Sequence, residues 1–151
     1  MGMEAQVNRR AQVEDLDGLL PVVEQFYAHF GFAWDAAKKR RLLAGFLQRP
    51  EAGRLWVAQV EGRIVGYALV PFYFALEFDG PVALLDEFFM LPEMRSRGAG
   101  AKLLSEVMAA LPGEGIQRLR LEVDEKHPEA AELYERLGFV RDGRETWSKV
   151  V

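Results

Sequence analysis

The chain has 151 residues, the length of one domain, and half of them are apolar, which is typical of a packed core rather than a disordered segment. Its net charge of −4 argues against a nucleic-acid binder, and no apolar run reaches the ~18 residues that cross a bilayer. The lack of cysteine excludes disulfides, cysteine-bound metals and a cysteine nucleophile, and it is typical of a cytoplasmic protein. The two histidines, His29 and His127, show no local ligand spacing, so we predict no metal site.

The first third of the chain predicts one strand and two helices. Residues 7–11 form a short candidate strand. Apolar residues then recur at helical spacing over 16–30, with Asp15 or Asp17 as N-cap and Gly31 as the stop. Residues 35–48 predict a second helix, whose basic run over 38–41 is typical of a solvated face.

The rest of the chain predicts strands first and then alternating strands and helices. Strands are expected over 55–60, 64–74, 82–91 and 119–123, helices over 101–111 and 130–137, and a closing strand or hairpin over 139–140 and 147–150. His127 is a possible N-cap of the last helix, and Gly138 ends it. The order β-α-α-β-β-β-α-β-α-β predicts one α/β (α+β) domain over 1–151, with a mixed, mostly antiparallel sheet flanked by helices.

A glycine-containing loop joins the long apolar strand to the next helix, in the stretch M-L-P-E-M-R-S-R-G-A-G-A-K-L-L over 90–104. The first N–H groups of a helix have no partner within the helix, and its dipole favours an anion there. Gly98 and Gly100 allow the backbone to approach phosphate oxygens, and Arg95 and Arg97 supply charge. The stretch lacks the P-loop lysine, and Leu103 replaces the third glycine of the dinucleotide fingerprint.

Two blocks of the sequence resemble the GNAT superfamily of N-acetyltransferases. The loop R-S-R-G-A-G is similar to the family's acyl-CoA pyrophosphate loop, with Ser96 where glycine is usual. The block H-P-E-A-A-E-L-Y-E-R-L-G-F over 127–139 resembles a second family motif, with His127 in place of asparagine. The resemblance implies acetyl-CoA as co-substrate. The cofactor-binding residues that it implies are Phe88, Phe89, Met90, Arg95, Ser96, Arg97, Gly98, Ala99, Gly100, Ala101, His127 and Ala130.

The same resemblance implies direct transfer of an acetyl group to an amine, and the residues agree, because the chain offers only three Ser and one Thr as hydroxyl nucleophiles and no G-x-S-x-G. Asp86 and Glu87 lie on the long strand and are expected to point to opposite faces, so that only one serves the site. Similarity to the diamine acetyltransferase branch favours Asp86 as the base. Tyr134 matches the family's general acid, and a backbone N–H within 89–91 is the expected oxyanion donor.

The acceptor is predicted to be a primary amine of a small molecule, diamine-like, polyamine-like or amino-acid-like. Besides Asp86 and Glu87, the residues that could hold such a cation, or equally form an ordinary sheet edge, are Glu77, Asp79, Tyr67, Tyr73 and Phe74. Two alternatives stay open: a protein or peptide N-acetyltransferase, and a non-catalytic acyl-CoA-binding sensor. The resemblance also implies a homodimer, and neither a nucleic acid nor a membrane is expected as a partner.

Overall fold

The computed structural model describes residues 5–151, so the first four residues of the predicted 1–151 domain lie outside the described part. Six strands form one sheet, and α1 and α3 pack on its opposite faces. The elements in chain order are β1 (Gln6–Arg10), α1 (Leu16–Phe30), α2 (Ala36–Leu47), β2 (Gly53–Val60), β3 (Arg63–Ala75), β4 (Gly80–Leu85), β5 (Glu87–Met90), α3 (Ala99–Ala110), β6 (Leu119–Leu121) and α4 (Ala130–Arg136).

The sheet runs in the order β1-β2-β3-β4-β6, and β5 pairs with the first half of β3. All pairs are antiparallel except β4 with β6, which are parallel because α3 crosses over between them. This arrangement confirms the predicted mixed, mostly antiparallel sheet flanked by helices. Within residues 5–151, no helix has both the length and the apolar character that crossing a bilayer requires.

Local signals placed the two N-terminal helices correctly. Helix α1 buries an apolar stripe against β3 and ends at Gly31, whose φ of 72° is the left-handed conformation that glycine adopts without strain. Helix α2 begins after Asp35, whose carboxylate accepts a hydrogen bond from the Lys38 backbone N–H at 3.0 Å. The two helices pack against each other and against the sheet, where they build one wall of a cavity.

The C-terminal prediction is wrong in two details. Residues 139–151 form no strand: the segment makes no backbone pairing with β6, and its ion pairs with the rest of the fold are Arg120–Asp142 and Arg144–Glu77. Trp147 consequently stays 86% exposed. His127 does not cap α4, since the helix begins only at Ala130 and its N-cap position is occupied by Glu129 without a side-chain bond.

Candidate active site

The long apolar strand predicted over 82–91 is broken at Asp86. The backbone N–H of Asp86 donates to the Leu69 carbonyl at 3.0 Å, although Leu69 is already paired opposite Glu87. Two residues therefore oppose one, which is a β-bulge. The expectation that Asp86 and Glu87 point to opposite faces is wrong, because the bulge cancels the alternation and both side chains line the same cavity.

That cavity has a volume of about 250 Å³ and lies between α1, α2 and the strands β2 and β3. Tyr27, Lys39 and Tyr67 line it together with the two carboxylates. Its apolar wall is formed by Val23, Leu42, Leu43, Phe46, Leu55 and Leu69. The cavity is thus a mostly apolar pocket with its charges grouped on a few residues.

Glu87 is held by two phenols. Tyr27 Oη donates to one carboxylate oxygen at 2.8 Å, and Tyr67 Oη donates to the other at 2.7 Å. Burial raises the pKa of the Glu87 carboxyl, and the two hydrogen bonds moderate that rise. Burial beside Glu87 also raises the pKa of both tyrosines, so the phenols stay protonated and act as donors. Glu87 is therefore a fixed carboxylate with free lone pairs toward the cavity.

Asp86 differs from its neighbour because it is more exposed and no described side chain donates to its carboxylate. Its pKa is raised, first by partial burial and then by the negative charge of Glu122. The bulge thus presents two carboxylates with unlike surroundings, one locked by hydrogen bonds and one free to accept a proton.

The edge of β5 that faces away from β3 is open among the described residues. Strand β6 pairs with β4 only as far as Leu85 and Leu121, and β5 pairs with β3 alone. The Leu91 N–H is used by the Val65 carbonyl at 2.8 Å, so it is not available as an oxyanion donor. Because N–H groups alternate between the two edges, that of Met90 points to the open edge.

The glycine loop follows at the same end of the sheet. Ser96 has a φ of 63° and Gly98 a φ of 75°, so two of its residues adopt the left-handed conformation, which explains why glycine suits the position of Ser96. Gly100 has a packing reason as well, since a Cβ there would lie 3.2 Å from Phe88 Cζ. Arg95 folds back over the Phe89 ring and donates to the Met90 carbonyl at 3.2 Å, while Arg97 is exposed.

Tyr134 faces β5 from α4 on the side of the sheet away from the cavity. Its ring centroid lies 6.5 Å from that of Phe88 and 5.8 Å from that of Phe139. Burial raises the pKa of its phenol, which keeps the hydroxyl protonated. The hydroxyl forms no hydrogen bond with any described residue, so it is available to a group in the gap between β5 and α4.

The structure brings together only part of the acidic and aromatic set suggested as a cation site. Tyr67 joins Asp86 and Glu87 in the cavity. Glu77 instead pairs with Arg144, and Tyr73 accepts from Arg120, so both belong to the far end of the β3–β4 hairpin. Glu77 and Tyr73 therefore belong to an ordinary sheet edge and not to a cation site.

Sequence reasoning missed Tyr27 and Lys39 as cavity residues. From the sequence, Tyr27 is one of several apolar residues of α1, and Lys39 belongs to a basic run that is typical of a solvated face. The chain alone gave no means of pairing Tyr27 with Glu87, which is 60 residues further on.

The structure also brings the two histidines together at the surface, where possible ligand atoms of His29, His127 and Glu129 all lie within 4.8 Å of one another. We call these three residues the two-histidine cluster. The His127 ring packs against His29 and Phe30 at the end of α1. Residues at opposite ends of the chain form this cluster, which local spacing could not show.

Comparisons with known proteins identify the family and the fold of the chain. The model of the Acetyltransferase (GNAT) family matches residues 20–139. An uncharacterized N-acetyltransferase of Bacillus subtilis is 26% identical over 135 residues, which cover 89% of both chains. A solved integron cassette protein from a salt-marsh metagenome is 28% identical, with a TM-score of 0.85 over 95% of this chain and 90% of that one.

An aminoglycoside N-acetyltransferase solved in complex with CoA shares the fold, with a TM-score of 0.85 at 17% identity over 99% of this chain and 97% of that one. The described residues combine a parallel strand pair, an open edge of β5, and a glycine loop that leads into a helix N-terminus. The family match covers most of the chain, so this protein belongs to the Acetyltransferase (GNAT) family and is an acetyl-CoA-dependent acetyltransferase. The diamine and polyamine branch is not supported by these relatives.

Proposed function

We propose that this chain transfers the acetyl group of acetyl-CoA directly to the primary amine of a small molecule. The observation that carries the proposal is the carboxylate pair, Asp86 and Glu87, which shares one cavity beside the open edge of β5. Membership of the Acetyltransferase (GNAT) family supports acetyl-CoA as the donor. An amine in this cavity has a carboxylate anchor, a second carboxylate to take its proton, and access to the strand edge.

The donor would bind along the open edge of β5. The pantetheine arm pairs with the backbone of residues 88–90 like an added strand, since no described strand pairs with their open edge, where among the described residues Arg95 alone contacts the Met90 carbonyl. The pyrophosphate fits the loop over 95–98 and the first turn of α3, where unpaired N–H groups and the helix dipole favour an anion. His127 and Ala130, at the start of α4, are proposed as the remaining contacts.

The acceptor amine must lose a proton before it attacks. An alkylamine of pKa ~10.4 gives up its proton at pH 7 at a cost of roughly 4.6 kcal/mol. Glu87 is the proposed anchor for the ammonium group, because two phenols fix its position and moderate its basicity. Asp86 is the proposed base, directly or through water, because its pKa is raised and no described donor occupies it.

The free amine attacks the thioester carbonyl and the C–N bond forms. The C–S bond then breaks, and the second proton that the nitrogen loses passes through water to the departing thiolate or to solvent. The N–H of Met90 is the proposed donor to the oxyanion, since Leu91 is already bonded to Val65. Tyr134 donates a hydrogen bond to the departing sulfur. Proton transfer from a phenol of pKa ~10 to a thiolate of pKa ~8.5 is unfavourable by about 2 kcal/mol. Burial raises the pKa of Tyr134 and makes this transfer less favourable still. The main contribution of Tyr134 is therefore a hydrogen bond to the sulfur as its negative charge develops.

The test is thiol release from acetyl-CoA in the presence of small amines, amino acids, aminoglycosides and lysine peptides. The chain contains no cysteine and so adds no thiol background. Asp86→Asn should lower kcat by about 10² or more, the range for a general base, whereas Glu87→Gln should mainly raise KM. Asp79→Asn, a carboxylate of the distant hairpin turn, is the control. Release that depends on peptides alone, or binding of acetyl-CoA without any release, would replace the proposal by one of its two alternatives.

Three predictions stay predictions: a cytoplasmic location, a homodimer, and one domain over 1–151. The family resemblance alone supports the homodimer. Light scattering of the purified chain with and without acetyl-CoA measures its mass directly, and a monomer under both conditions would contradict that prediction.

A further inference from the structure

The size and lining of the acceptor cavity, in addition to its carboxylate pair, indicate which class of amine it can bind. Its volume of about 250 Å³ is below the ~300–1,000 Å³ typical of pockets for drug-sized ligands. Such a volume encloses a small amine, whereas only a part of an oligosaccharide-sized acceptor such as an aminoglycoside would fit inside it.

The lining of the cavity contains more negatively charged than positively charged side chains. Asp86 and Glu87 bring two negative charges and Lys39 brings one positive charge. Lys39 Nζ lies 4.9 Å from the centroid of the Tyr27 ring, and Tyr27 donates to Glu87, so the lysine is close enough to lower the pKa of that carboxyl. The net charge of the lining is therefore one negative charge, which a single ammonium group neutralises.

The remaining wall offers nothing to a second cation. Leu42, Leu43 and Phe46 come from α2, Leu55 and Leu69 from the sheet, and Val23 from α1. With Glu87 as the anchor and Asp86 as the base, a second ammonium group inside the cavity would meet these apolar side chains or Lys39, and each contact opposes it. An alkyl or aryl group would instead leave water for an apolar wall.

From these observations we infer that the acceptor is a primary monoamine with an apolar carbon skeleton, rather than a diamine, a polyamine or an aminoglycoside. The ammonium group pairs with Glu87, and the carbon skeleton packs on the leucines and Phe46. The inference rests on the proposed acetyl transfer and names its substrate class. It also replaces the diamine-like expectation from the sequence, because the positive charge of Lys39 offsets one of the two negative charges that line the cavity.

The sharpest test uses two amines of equal size. n-Hexylamine and 1,5-diaminopentane each have seven non-hydrogen atoms and differ only in whether the far end is a methyl or an ammonium group. The expected kcat/KM is at least about tenfold higher for n-hexylamine, and each methylene from n-butylamine to n-hexylamine adds roughly fourfold, the transfer free energy of one CH₂. A higher value for 1,5-diaminopentane, or no dependence on chain length, overturns the inference.

Amino acids are the other class to exclude, because Lys39 could pair with a carboxylate. 3-Methylbutylamine is leucine without its carboxylate, so this pair isolates that contact. The expected preference is for 3-methylbutylamine, and a preference for leucine overturns the inference.

Two variants identify the residue responsible. In Lys39→Met, the ratio of the two kcat/KM values, diamine over n-hexylamine, should rise by about fivefold or more, since the repelling charge is gone. Lys38→Met, an exposed lysine of the same helix, should leave the ratio unchanged. An unchanged ratio in Lys39→Met would show that Lys39 does not set the selectivity and would overturn the charge argument.

Calorimetry of amine binding separates a failure of this inference from a failure of the proposed function. If no amine supports thiol release but n-hexylamine binds more tightly than 1,5-diaminopentane, the acetyl transfer is wrong and the acceptor class stands. If thiol release occurs with diamines in preference to monoamines, the acetyl transfer stands and the acceptor class is wrong. If neither amine is bound or turned over, both are wrong.

Discussion

Replacing Tyr67 by phenylalanine isolates one contact of the buried carboxylate. Tyr67 is 1% exposed, and its hydroxyl donates to Glu87 at 2.7 Å. Tyr67→Phe removes this hydroxyl and keeps the ring, so the packing against Phe26 is retained. The variant therefore changes the environment of Glu87 with little change in the volume of the core.

A hydrogen bond to a charged group contributes about 1.5–3 kcal/mol. We expect the free energy of unfolding of Tyr67→Phe to fall by about this amount at neutral pH, which is roughly 3–12 °C in Tm for a chain of this size. Loss of this hydrogen bond, which lowers the pKa of Glu87, also lets that pKa rise further. Since the bond is strong only while Glu87 is ionised, the loss is full above the folded-state pKa and shrinks as pH falls through it.

The assay is urea unfolding of wild type and variant across a range of pH from acid to neutral. Tyr73→Phe is the control, because Tyr73 is exposed and accepts a hydrogen bond from Arg120. Its effect should be small and should not follow the titration of Glu87. A loss in Tyr67→Phe that is the same at every pH would refute the view that Glu87 is an ionised carboxylate held by phenols.

Four further outcomes follow from the cofactor side of the site. Gly98→Asp should weaken acetyl-CoA binding at least about tenfold by repelling the pyrophosphate. Gly115→Asp is the control, because Gly115 lies at a turn with a similar φ of 80° and shares only the backbone strain. Equal affinity for acetyl-CoA in the two variants would contradict the assignment of this loop to the pyrophosphate. Ser96→Gly should raise the free energy of unfolding by roughly 0.5–1 kcal/mol, because relief of left-handed strain outweighs the added backbone entropy, and a lower unfolding midpoint would contradict this. Tyr134→Phe should lower kcat about 10²-fold with an unchanged dissociation constant for acetyl-CoA, and an unchanged rate would remove Tyr134 as the hydrogen-bond donor. Treatment with a chelator should leave the rate of acetyl transfer unchanged; a loss that Zn²⁺ restores would contradict the prediction of no metal site, and the two-histidine cluster would be the first place to look for it.

Most of the fold was predictable because its signals are local. Helix α1 ends at Gly31 and α2 begins at Asp35, where single residues with special backbone or capping chemistry mark the boundary. The predicted closing strand failed for a non-local reason. A strand needs a partner edge, and residues 139–151 are tied to Arg120 and Glu77 by side chains instead.

The candidate site likewise has one part that local sequence predicts, the acetyl-CoA side, and one part that it does not, the acceptor side. The glycine loop and the block around Tyr134 are runs of neighbouring residues, and the donors at a helix N-terminus are a property of that one helix, so the sequence alone determined where acetyl-CoA is expected to bind. Only the tertiary structure decided the acceptor side. The β-bulge at Asp86 depends on how β5 pairs with β3, and the partner of Glu87 on α1, Tyr27, is 60 residues away. Alternation within one strand predicts that the two carboxylates lie on opposite faces, whereas the folded sheet and its packing against α1 and α2 place them in one cavity. The sequence could not show this, because a sequence pattern specifies a period and not the register in which strands pair.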